Sequence, residues 1–162
     1  MSWHVLPVHA SKVSRVEGFC SIFLQLIFFT KEQVDKSAMT NWQQARSYQL
    51  HIVVDRDARI AVGKLGLNVF PRGLYIYTGS AERNMETRVM RHLSQSKKLR
   101  WHIDYLLNHE AVRIAFVEVF PDPECELNKS VDGVVLVPRF GASDCRENCG
   151  SHLKYLGRIG RD

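Results

Sequence analysis

The segment between Leu74 and Leu93 changes from a strand pattern to a helix pattern within a few residues, which constrains the fold more than any other feature. Residues 74–78 (LYIYT) are aromatic and β-branched, as strands are, and Gly79-Ser80 predicts the turn that ends this strand. Past the turn, side chains on one helix face recur at helical spacing: Met85, Val89, His92 and Leu93. A strand that leads so directly into a helix indicates a mixed fold.

Further strand and helix patterns lie on both sides of this segment. Alternating or β-branched runs predict three more strands, over residues 48–54, 59–62 and 111–119. The first two are most simply interpreted as a meander with residues 74–78. Helices are predicted over residues 100–108 and from the proline- and acid-rich start at residues 121–124. The whole pattern predicts an α+β fold in which helices flank a small, mostly antiparallel β-sheet.

The composition is that of a soluble domain with a basic surface. A chain of 162 residues, 45% hydrophobic and 24% charged, is long enough for one domain with a real core. Its formal charge of +5 and pI near 9.2 favour a polyanionic partner such as nucleic acid. The main apolar run, residues 19–29, is too short to cross a bilayer and has no signal-peptide cleavage site after it. We therefore expect a cytoplasmic protein with no membrane partner.

Residues 1–38 differ from the rest of the chain because they hold scattered aromatic residues without a sustained period or a helix cap. Met39 then opens a polar segment. One hypothesis is that translation starts there and that residues 1–38 are an over-extended gene prediction or a poorly ordered extension. The alternative is a genuine N-terminal helix that covers one edge of the domain. In either case residues 39–162 are predicted to form the functional domain.

Three of the four cysteines lie near the C-terminus together with a histidine. Cys145, Cys149 and His152 fall within one short segment, and Cys125 lies upstream of them. In a reducing cytoplasm such residues are thiols or metal ligands more often than disulfides. The four could close a tetrahedral zinc site that pins the C-terminal loop to the preceding helix, although their spacing is not that of a standard zinc finger. The alternative is reduced thiols that pack a loop.

Arg88 and His92 lie four residues apart on the predicted helix and therefore share one face. A fixed guanidinium offers several hydrogen-bond donors to a phosphate on which negative charge develops during cleavage. A histidine beside it can move a proton. The alternative is a solvated basic helix, to which Arg83 and Arg91 would also contribute.

The strand, turn and helix together resemble a known nuclease signature. Tyr77-Thr-Gly79, followed by Arg88 and His92, is similar to the second half of the GIY-YIG signature, which has a Tyr-x-Gly turn and then a helix with one essential arginine. This resemblance implies a GIY-YIG-like fold. It also implies an enzyme that hydrolyses phosphodiester bonds with the help of a divalent metal ion.

The first half of that signature is altered in this chain. Tyr48 matches its tyrosine, whereas Arg46 stands in place of its glycine, and an extra strand at residues 59–62 would account for a long interval before Tyr77. These departures resemble one prokaryotic branch of the superfamily, a domain of unknown function that is sometimes associated with endonuclease III-type proteins. The segments similar to that branch are residues 62–66, 70–81, 91–93, 98–107, 124–127 and 138–145.

The resemblance also implies a role for each site residue. The catalytic residues that it indicates are Tyr48, Tyr77, Arg88 and His92. The first tyrosine would act as general base for the attacking water and the second would hold it in place, while the arginine stabilises the phosphate and the histidine supports or relays a proton. Glu126 would hold a single Mg²⁺ or Mn²⁺ ion. Glu124 is the alternative, because positions two apart on a helix point about 200° apart and only one can face the site.

The function predicted from these features is a DNA endonuclease with a role in DNA repair or processing. A repair protein or another targeting partner would help it to select its DNA. The predicted nucleic-acid contacts are basic residues around the helix: Arg83, Arg91, Lys97, Lys98 and Arg100. The altered first half of the signature leaves an alternative, a nucleic-acid-binding module with little or no hydrolysis.

Overall fold

The fold consists of a central β-sheet, a separate β-hairpin and helices packed against the sheet. A computed structural model describes residues 42–160. Its strands are β1 (Ser47–Val54), β2 (Ala58–Ala61), β3 (Leu67–Phe70), β4 (Gly73–Ser80), β5 (Val112–Phe120) and β6 (Leu153–Gly157). Its longer helices are α1 (Met85–Leu93), α2 (His102–Leu107) and α3 (Glu124–Ser130). The predicted α+β class, with helices flanking a mostly antiparallel sheet, is confirmed.

The central sheet places both tyrosines of the predicted site side by side. Its strands are antiparallel and run in the order β5, β1, β4 and β6. Across the pair formed by β1 and β4, Tyr48 lies opposite Gly79 and Leu50 lies opposite Tyr77. Because side chains two apart on a strand share a face, Tyr48 and Tyr77 project from the same side of the sheet.

The hairpin formed by β2 and β3 corrects the predicted meander. We expected residues 59–62 to return beside β1, but β2 pairs with β3, and β1 pairs with β4 and β5, which are distant in sequence. Nearly every side chain of β1 is buried, so the centre of the larger sheet removes more apolar surface from water than a local hairpin would. The hairpin accounts for the long interval between Tyr48 and Tyr77.

The main core lies between the central sheet and the helices α1 and α2. It includes alternate residues of β1 together with residues of both helices: Leu50, Ile52, Val54, Val89, Ile103 and Leu106. Burying each of these side chains stabilises the fold by about 1.5–3 kcal/mol relative to leaving it exposed. This packing fixes α1 against the sheet, so the buried face of α1, which carries His92, faces the strands.

The bounds of α2 and β5 agree with the predicted helix and strand to within a few residues. The turn predicted at Gly79 and Ser80 is instead the end of β4, and α1 begins later, after Asn84. The predictions about residues 1–38 lie outside the described residues. None of the helices within residues 42–160 combines the length and the apolar character that a membrane crossing requires.

Candidate active site and metal site

Two tyrosines and a histidine meet near one end of the central sheet. The Tyr48 hydroxyl and His92 Nε2 lie 2.7 Å apart, within hydrogen-bonding distance. The Tyr77 ring meets the imidazole of His92 edge-on, with 6.4 Å between the ring centroids. Arg88 and Glu124 are among the charged residues that act on both phenols. We call these five residues the tyrosine site.

Gly79 makes room for Tyr48. A β-carbon at position 79 would overlap the Tyr48 hydroxyl and ring, so glycine is the residue that lets the phenol lie across β4. Gly141 has a similar role beside Tyr77, because a β-carbon there would lie 2.8 Å from the ring. The glycine of the Tyr-Thr-Gly motif therefore positions a tyrosine of the neighbouring strand rather than a turn.

Burial dominates the electrostatics of the tyrosine site. It raises the pKa of Tyr48 and that of Tyr77 well above the usual value for tyrosine, while the Arg88 guanidinium lowers both pKa values and the Glu124 carboxylate raises them. Burial also lowers the pKa of His92 to about 4. At neutral pH both phenols are therefore protonated and the imidazole is uncharged.

His92 has one nitrogen without a hydrogen-bond partner. Nε2 faces Tyr48, but Nδ1 is buried and has no partner within residues 42–160. Leaving a buried polar atom unsatisfied costs about 1–3 kcal/mol. Proteins tolerate such a cost mainly where the group has a functional role or a ligand completes its hydrogen bonds.

Trp101 packs against two arginines of α1, and one of them, Arg91, also forms an ion pair with a buried aspartate. The guanidinium carbons of Arg88 and Arg91 lie 5.0 Å and 4.1 Å from the centroid of the Trp101 ring. Arg91 also donates to both carboxylate oxygens of the fully buried Asp104 at 2.8 Å. The Arg88 guanidinium has no hydrogen bond or ion pair with any other residue that the structure describes, so its donors remain available to a phosphate.

Of the two glutamates at the start of α3, Glu124 faces the tyrosine site and Glu126 does not. Glu124 accepts a 2.5 Å hydrogen bond from Ser80 Oγ, and its other oxygen lies 2.9 Å from His152 Nδ1. Glu126 is exposed, and the described residues offer its carboxylate no hydrogen bond or ion pair. The resemblance placed the metal ligand at Glu126, whereas the geometry brings the alternative, Glu124, to the site. Because α3 begins directly after Pro123, Glu124 and Glu126 are its first and third residues and lie on different faces of the helix.

The basic residues predicted to contact nucleic acid divide into two groups. Those with exposed side chains are Arg83, Lys98 and Arg100. Arg91 is instead held by Asp104, and Lys97 donates a 2.6 Å hydrogen bond to the carbonyl oxygen of His92 in the last turn of α1. The exposed three are free to meet a partner, while Arg91 and Lys97 stabilise α1 and the loop that follows it.

Cys125 of α3 meets three residues of the C-terminal loop: Cys145, Cys149 and His152. One potential ligand atom from each lies within 4.8 Å of the other three, and the sulfur atoms of Cys125 and Cys145 are 3.6 Å apart. Three thiolates and one imidazole form a donor set that binds metal ions tetrahedrally. These four residues, which we call the cysteine–histidine cluster, could therefore hold a metal ion, as the sequence suggested.

The cysteine–histidine cluster brings opposite charges together. Burial alone would raise the pKa of Cys145, but the N–H groups of Cys149 and Glu147 and the contact with His152 lower it to about 6. Burial would lower the pKa of His152, but its contact with Glu124 and the nearby thiols raises it to about 9. A thiolate, the form that binds metal, is therefore readily accessible at Cys145.

Three residues that position the tyrosine site received no such role from the sequence: Ser80, Trp101 and Asp104. Asp104 has a recognisable signal, since an acid three residues after a helix cap often accepts from the cap N–H, and its carboxylate does accept from the N–H of Trp101 at 2.9 Å. Ser80 and Trp101 have no comparable signal. Their contacts with Glu124 and with the arginines arise only when distant segments pack together.

Residues 47–160 match a family described as "Domain of unknown function DUF123". The matched range contains all the strands and helices named above, so it includes both the tyrosine site and the cysteine–histidine cluster. No curated protein matches the chain. No solved structure matches it either.

Proposed function

The chain belongs to the family described as Domain of unknown function DUF123, and we propose that it is a metal-dependent DNA endonuclease of the GIY-YIG type. The observation that carries the proposal is the assembly of the tyrosine site. Two phenols lie beside an uncharged imidazole, a carboxylate and a guanidinium that has no hydrogen bond or ion pair with the described residues. A protein that only binds DNA needs the positive charge but not the other groups. A role in DNA repair or processing, with a targeting partner, belongs to the same proposal.

Arg88 supplies positive charge to the phosphate. Its guanidinium lies over Trp101 and forms no competing hydrogen bond or ion pair among residues 42–160. A guanidinium in a fixed position can donate to two phosphate oxygens at once, and its charge stabilises the additional negative charge that develops as water attacks. The exposed Arg83, Lys98 and Arg100 would hold the flanking DNA backbone.

Tyr48 and His92 provide a path for the proton of the attacking water. The raised pKa of Tyr48 disfavours a resting phenolate. We therefore propose two coupled proton transfers. The water proton passes to the Tyr48 oxygen, while the Tyr48 hydroxyl proton crosses the 2.7 Å contact to His92 Nε2. The new P–O bond forms as the bond to the leaving oxygen breaks, and solvent protonates that oxygen. An anionic phosphate bound nearby raises the pKa of His92 and so favours the transfer.

Glu124 is the residue that fits the divalent ion implied by the resemblance. One of its oxygens accepts from Ser80 and the other faces His152, and each keeps a lone pair for a further ligand. A single carboxylate suits Mg²⁺ or Mn²⁺, which keep several water ligands and bind phosphate oxygens. When bound, such an ion would stabilise the negative charge on the leaving oxygen.

For the cysteine–histidine cluster we propose zinc. A tetrahedral ion with bonds of about 2.3 Å to sulfur would separate two thiolates by about 3.8 Å. The sulfur atoms of Cys125 and Cys145 lie 3.6 Å apart, close to that separation. Three cysteines and one histidine complete four ligands and leave no open position for substrate, which is the arrangement of a structural rather than a catalytic zinc ion.

Cleavage of single-stranded, duplex and branched DNA in Mg²⁺ or Mn²⁺ tests the endonuclease. Arg88→Ala should slow cleavage by about 10²–10³-fold, since it removes the charge that stabilises the transition state. Arg59→Ala removes an exposed arginine of the β2–β3 hairpin and should leave the rate unchanged.

The two glutamates of α3 form a second matched pair. Glu124→Gln should slow cleavage strongly, because the amide is a poor ligand for the divalent ion, while Glu126→Gln should not. The proposal fails if the wild-type protein cuts none of the DNAs with either ion. It also fails if Glu124→Gln cuts as fast as the wild type.

The burial of the phenols favours a second function, a nucleic-acid-binding module with little hydrolysis. Tyr48 is 2% exposed and Tyr77 is 7% exposed, so a phosphodiester reaches their hydroxyls only if neighbouring side chains move. In that case Arg88→Ala would weaken DNA binding, and no divalent ion would produce cleavage. Measuring binding and cleavage on the same DNAs separates the two functions.

A further inference from the structure

We infer that zinc in the cysteine–histidine cluster positions Glu124 for the tyrosine site, with His152 as the link between them. In this arrangement His152 binds zinc through Nε2 and holds the Glu124 carboxylate with its Nδ1–H. The inference rests on the proposed function, because it assigns Glu124 to the endonuclease site. It makes the zinc ion a positioning element that takes no part in phosphodiester hydrolysis.

Packing does not explain why the three cysteines meet. Cys125, Cys145 and Cys149 are each only half-buried, whereas thiols that serve as small apolar side chains are usually buried fully. Residues 141–150, which carry two of them, contain no helix or strand and are largely exposed. A bound metal ion supplies the cohesion that apolar contacts do not provide in this loop.

His152 is placed as a metal ligand with an orienting partner. It is 3% exposed, and both ring nitrogens are buried. Nδ1 lies 2.9 Å from Glu124 Oε1 but not in hydrogen-bonding geometry, so neither ring nitrogen has a hydrogen-bond partner among the described residues. The backbone is fixed on both sides, since the His152 N–H donates to the Phe140 carbonyl at 2.8 Å and its own carbonyl accepts from the Thr78 N–H at 2.9 Å. One nitrogen thus meets a carboxylate and the other is left for the metal, as in most metal-bound histidines.

Glu124 does not itself belong to the cysteine–histidine cluster. The four ligand atoms that lie within 4.8 Å of one another come from the three cysteines and His152, so the carboxylate lies behind the histidine. Coordination at Nε2 would fix the imidazole ring, and a small rotation of that ring would direct Nδ1–H to the Glu124 oxygen 2.9 Å away.

The other end of Glu124 reaches the tyrosine site. Ser80, at the end of β4, donates to its second oxygen, and Ser80 directly follows Gly79, over which the Tyr48 ring lies. The carboxylate is therefore held between the metal-bound histidine and the strand that carries Tyr77. Because coupling between two sites is reciprocal, Glu124 should strengthen zinc binding as much as zinc orders Glu124.

The zinc affinity of the full chain, measured by competition with a chromophoric chelator, tests this link without DNA or cleavage. We expect one zinc ion per chain and a 10–100-fold weaker affinity in Glu124→Gln, about the effect of losing the carboxylate that orients a metal-bound histidine. Glu126→Gln, on the exposed side of the same helix, should bind zinc like the wild type. Ser80→Ala removes the other partner of Glu124, should weaken zinc binding less, and serves as a second variant if Glu124→Gln does not fold.

Replacing zinc with Co²⁺ checks the ligands directly. The wild-type protein should show intense thiolate-to-cobalt charge-transfer absorption, and Cys149→Ser should lose part of it because one sulfur ligand is gone. A reduced chain that binds neither metal, or a Cys125–Cys145 disulfide in the native protein, overturns the metal site. Wild-type zinc affinity in Glu124→Gln overturns the link to the tyrosine site. An inactive wild-type protein in which Glu124→Gln still weakens zinc binding rejects the endonuclease and retains the link.

Discussion

The tyrosine site and the cysteine–histidine cluster share α3, but they are held in different ways. Tyr48, Tyr77 and His92 lie on regular strands and a helix, are at most 7% exposed, and are fixed by the core and by the hydrogen bond between Tyr48 and His92. The cysteines of the cluster are half-buried and lie on a loop and on a short helix. The tyrosine site therefore depends on packing, whereas the cysteine–histidine cluster would depend on the proposed zinc ion. Substitutions near the tyrosine site should lower the free energy of unfolding, whereas substitutions in the cysteine–histidine cluster should lower the metal content of the protein.

The largest loss of stability is expected from Asp104, which supports α1 beside the tyrosine site. Its buried carboxylate accepts from Arg91 and from the N–H groups of Arg100 and Trp101. Burial would raise the pKa of Asp104, but these donors hold it below its usual range, so the group stays ionised. Asp104→Asn leaves the donors without a charged acceptor and should lower the free energy of unfolding by about 3–5 kcal/mol. Urea denaturation measures this loss.

Glu110→Gln is the matched control for Asp104→Asn. Glu110 pairs with Arg56, and both side chains are largely exposed to solvent, which screens the pair. The expected loss is at most about 1 kcal/mol. Equal losses in the two variants would contradict the view that the tyrosine site is supported by a buried ion pair.

The free energy of unfolding of the protein should fall as the pH is lowered, because His92 of the tyrosine site is buried. Burial lowers the pKa of His92 to about 4 in the folded protein, whereas the unfolded chain has an ordinary value of about 6.5. Between these pH values the unfolded chain binds a proton that the folded protein does not, so the free energy of unfolding decreases by about 3 kcal/mol as the pH falls. Denaturation curves from pH 7 to pH 4 measure the slope. His92→Asn should show a shallower slope, and equal slopes would contradict the assignment.

The sequence predicted the parts of the fold that depend on local pattern. The strand over residues 74–78 and the helix with His92 both form, because alternation and helical spacing are properties of neighbouring residues. The pairing of β2 was predicted wrongly, since it depends on how completely β1 is buried between β4 and β5. A short local turn such as residues 55–58 carries no information about that burial.

In the candidate site, too, the sequence predicted some residues, while the contacts between distant segments could not be predicted. The resemblance identified the tyrosines and the basic residues of α1 that the structure brings together. Of the two acids it favoured Glu126, with Glu124 as the alternative, and the structure brings Glu124 to the tyrosine site. The two acids lie so close in sequence that only the start of α3 decides between them. The meeting of Cys125 with Cys145 and the contact of Trp101 with Arg88 are tertiary, so spacing alone could only suggest the first and could not show the second.

A substitution at Gly79 should have a moderate effect that is specific to the tyrosine site. The added methyl group of Gly79→Ala would overlap the Tyr48 ring, which has little room to move because it is 2% exposed. We expect the free energy of unfolding to fall by about 1–3 kcal/mol and the hydrogen bond between Tyr48 and His92 to break. Gly160→Ala, where a β-carbon meets no atom, is the control and should be neutral. Unchanged stability in Gly79→Ala would mean that the phenol is not held against β4.

The smallest effect is expected where a surface ion pair joins α3 to the C-terminal loop. Lys129 Nζ and Glu147 Oε2 are 3.5 Å apart, and both side chains are more than half exposed. Because solvent screens such a pair, Lys129→Ala should lower the free energy of unfolding by less than about 1 kcal/mol and leave zinc affinity unchanged. Cys149→Ser, in the same loop, removes a ligand and should weaken zinc binding severely. If Lys129→Ala released the metal to the same extent, the loop would be held to α3 by charge, and the cysteine–histidine cluster would not depend on its ligand.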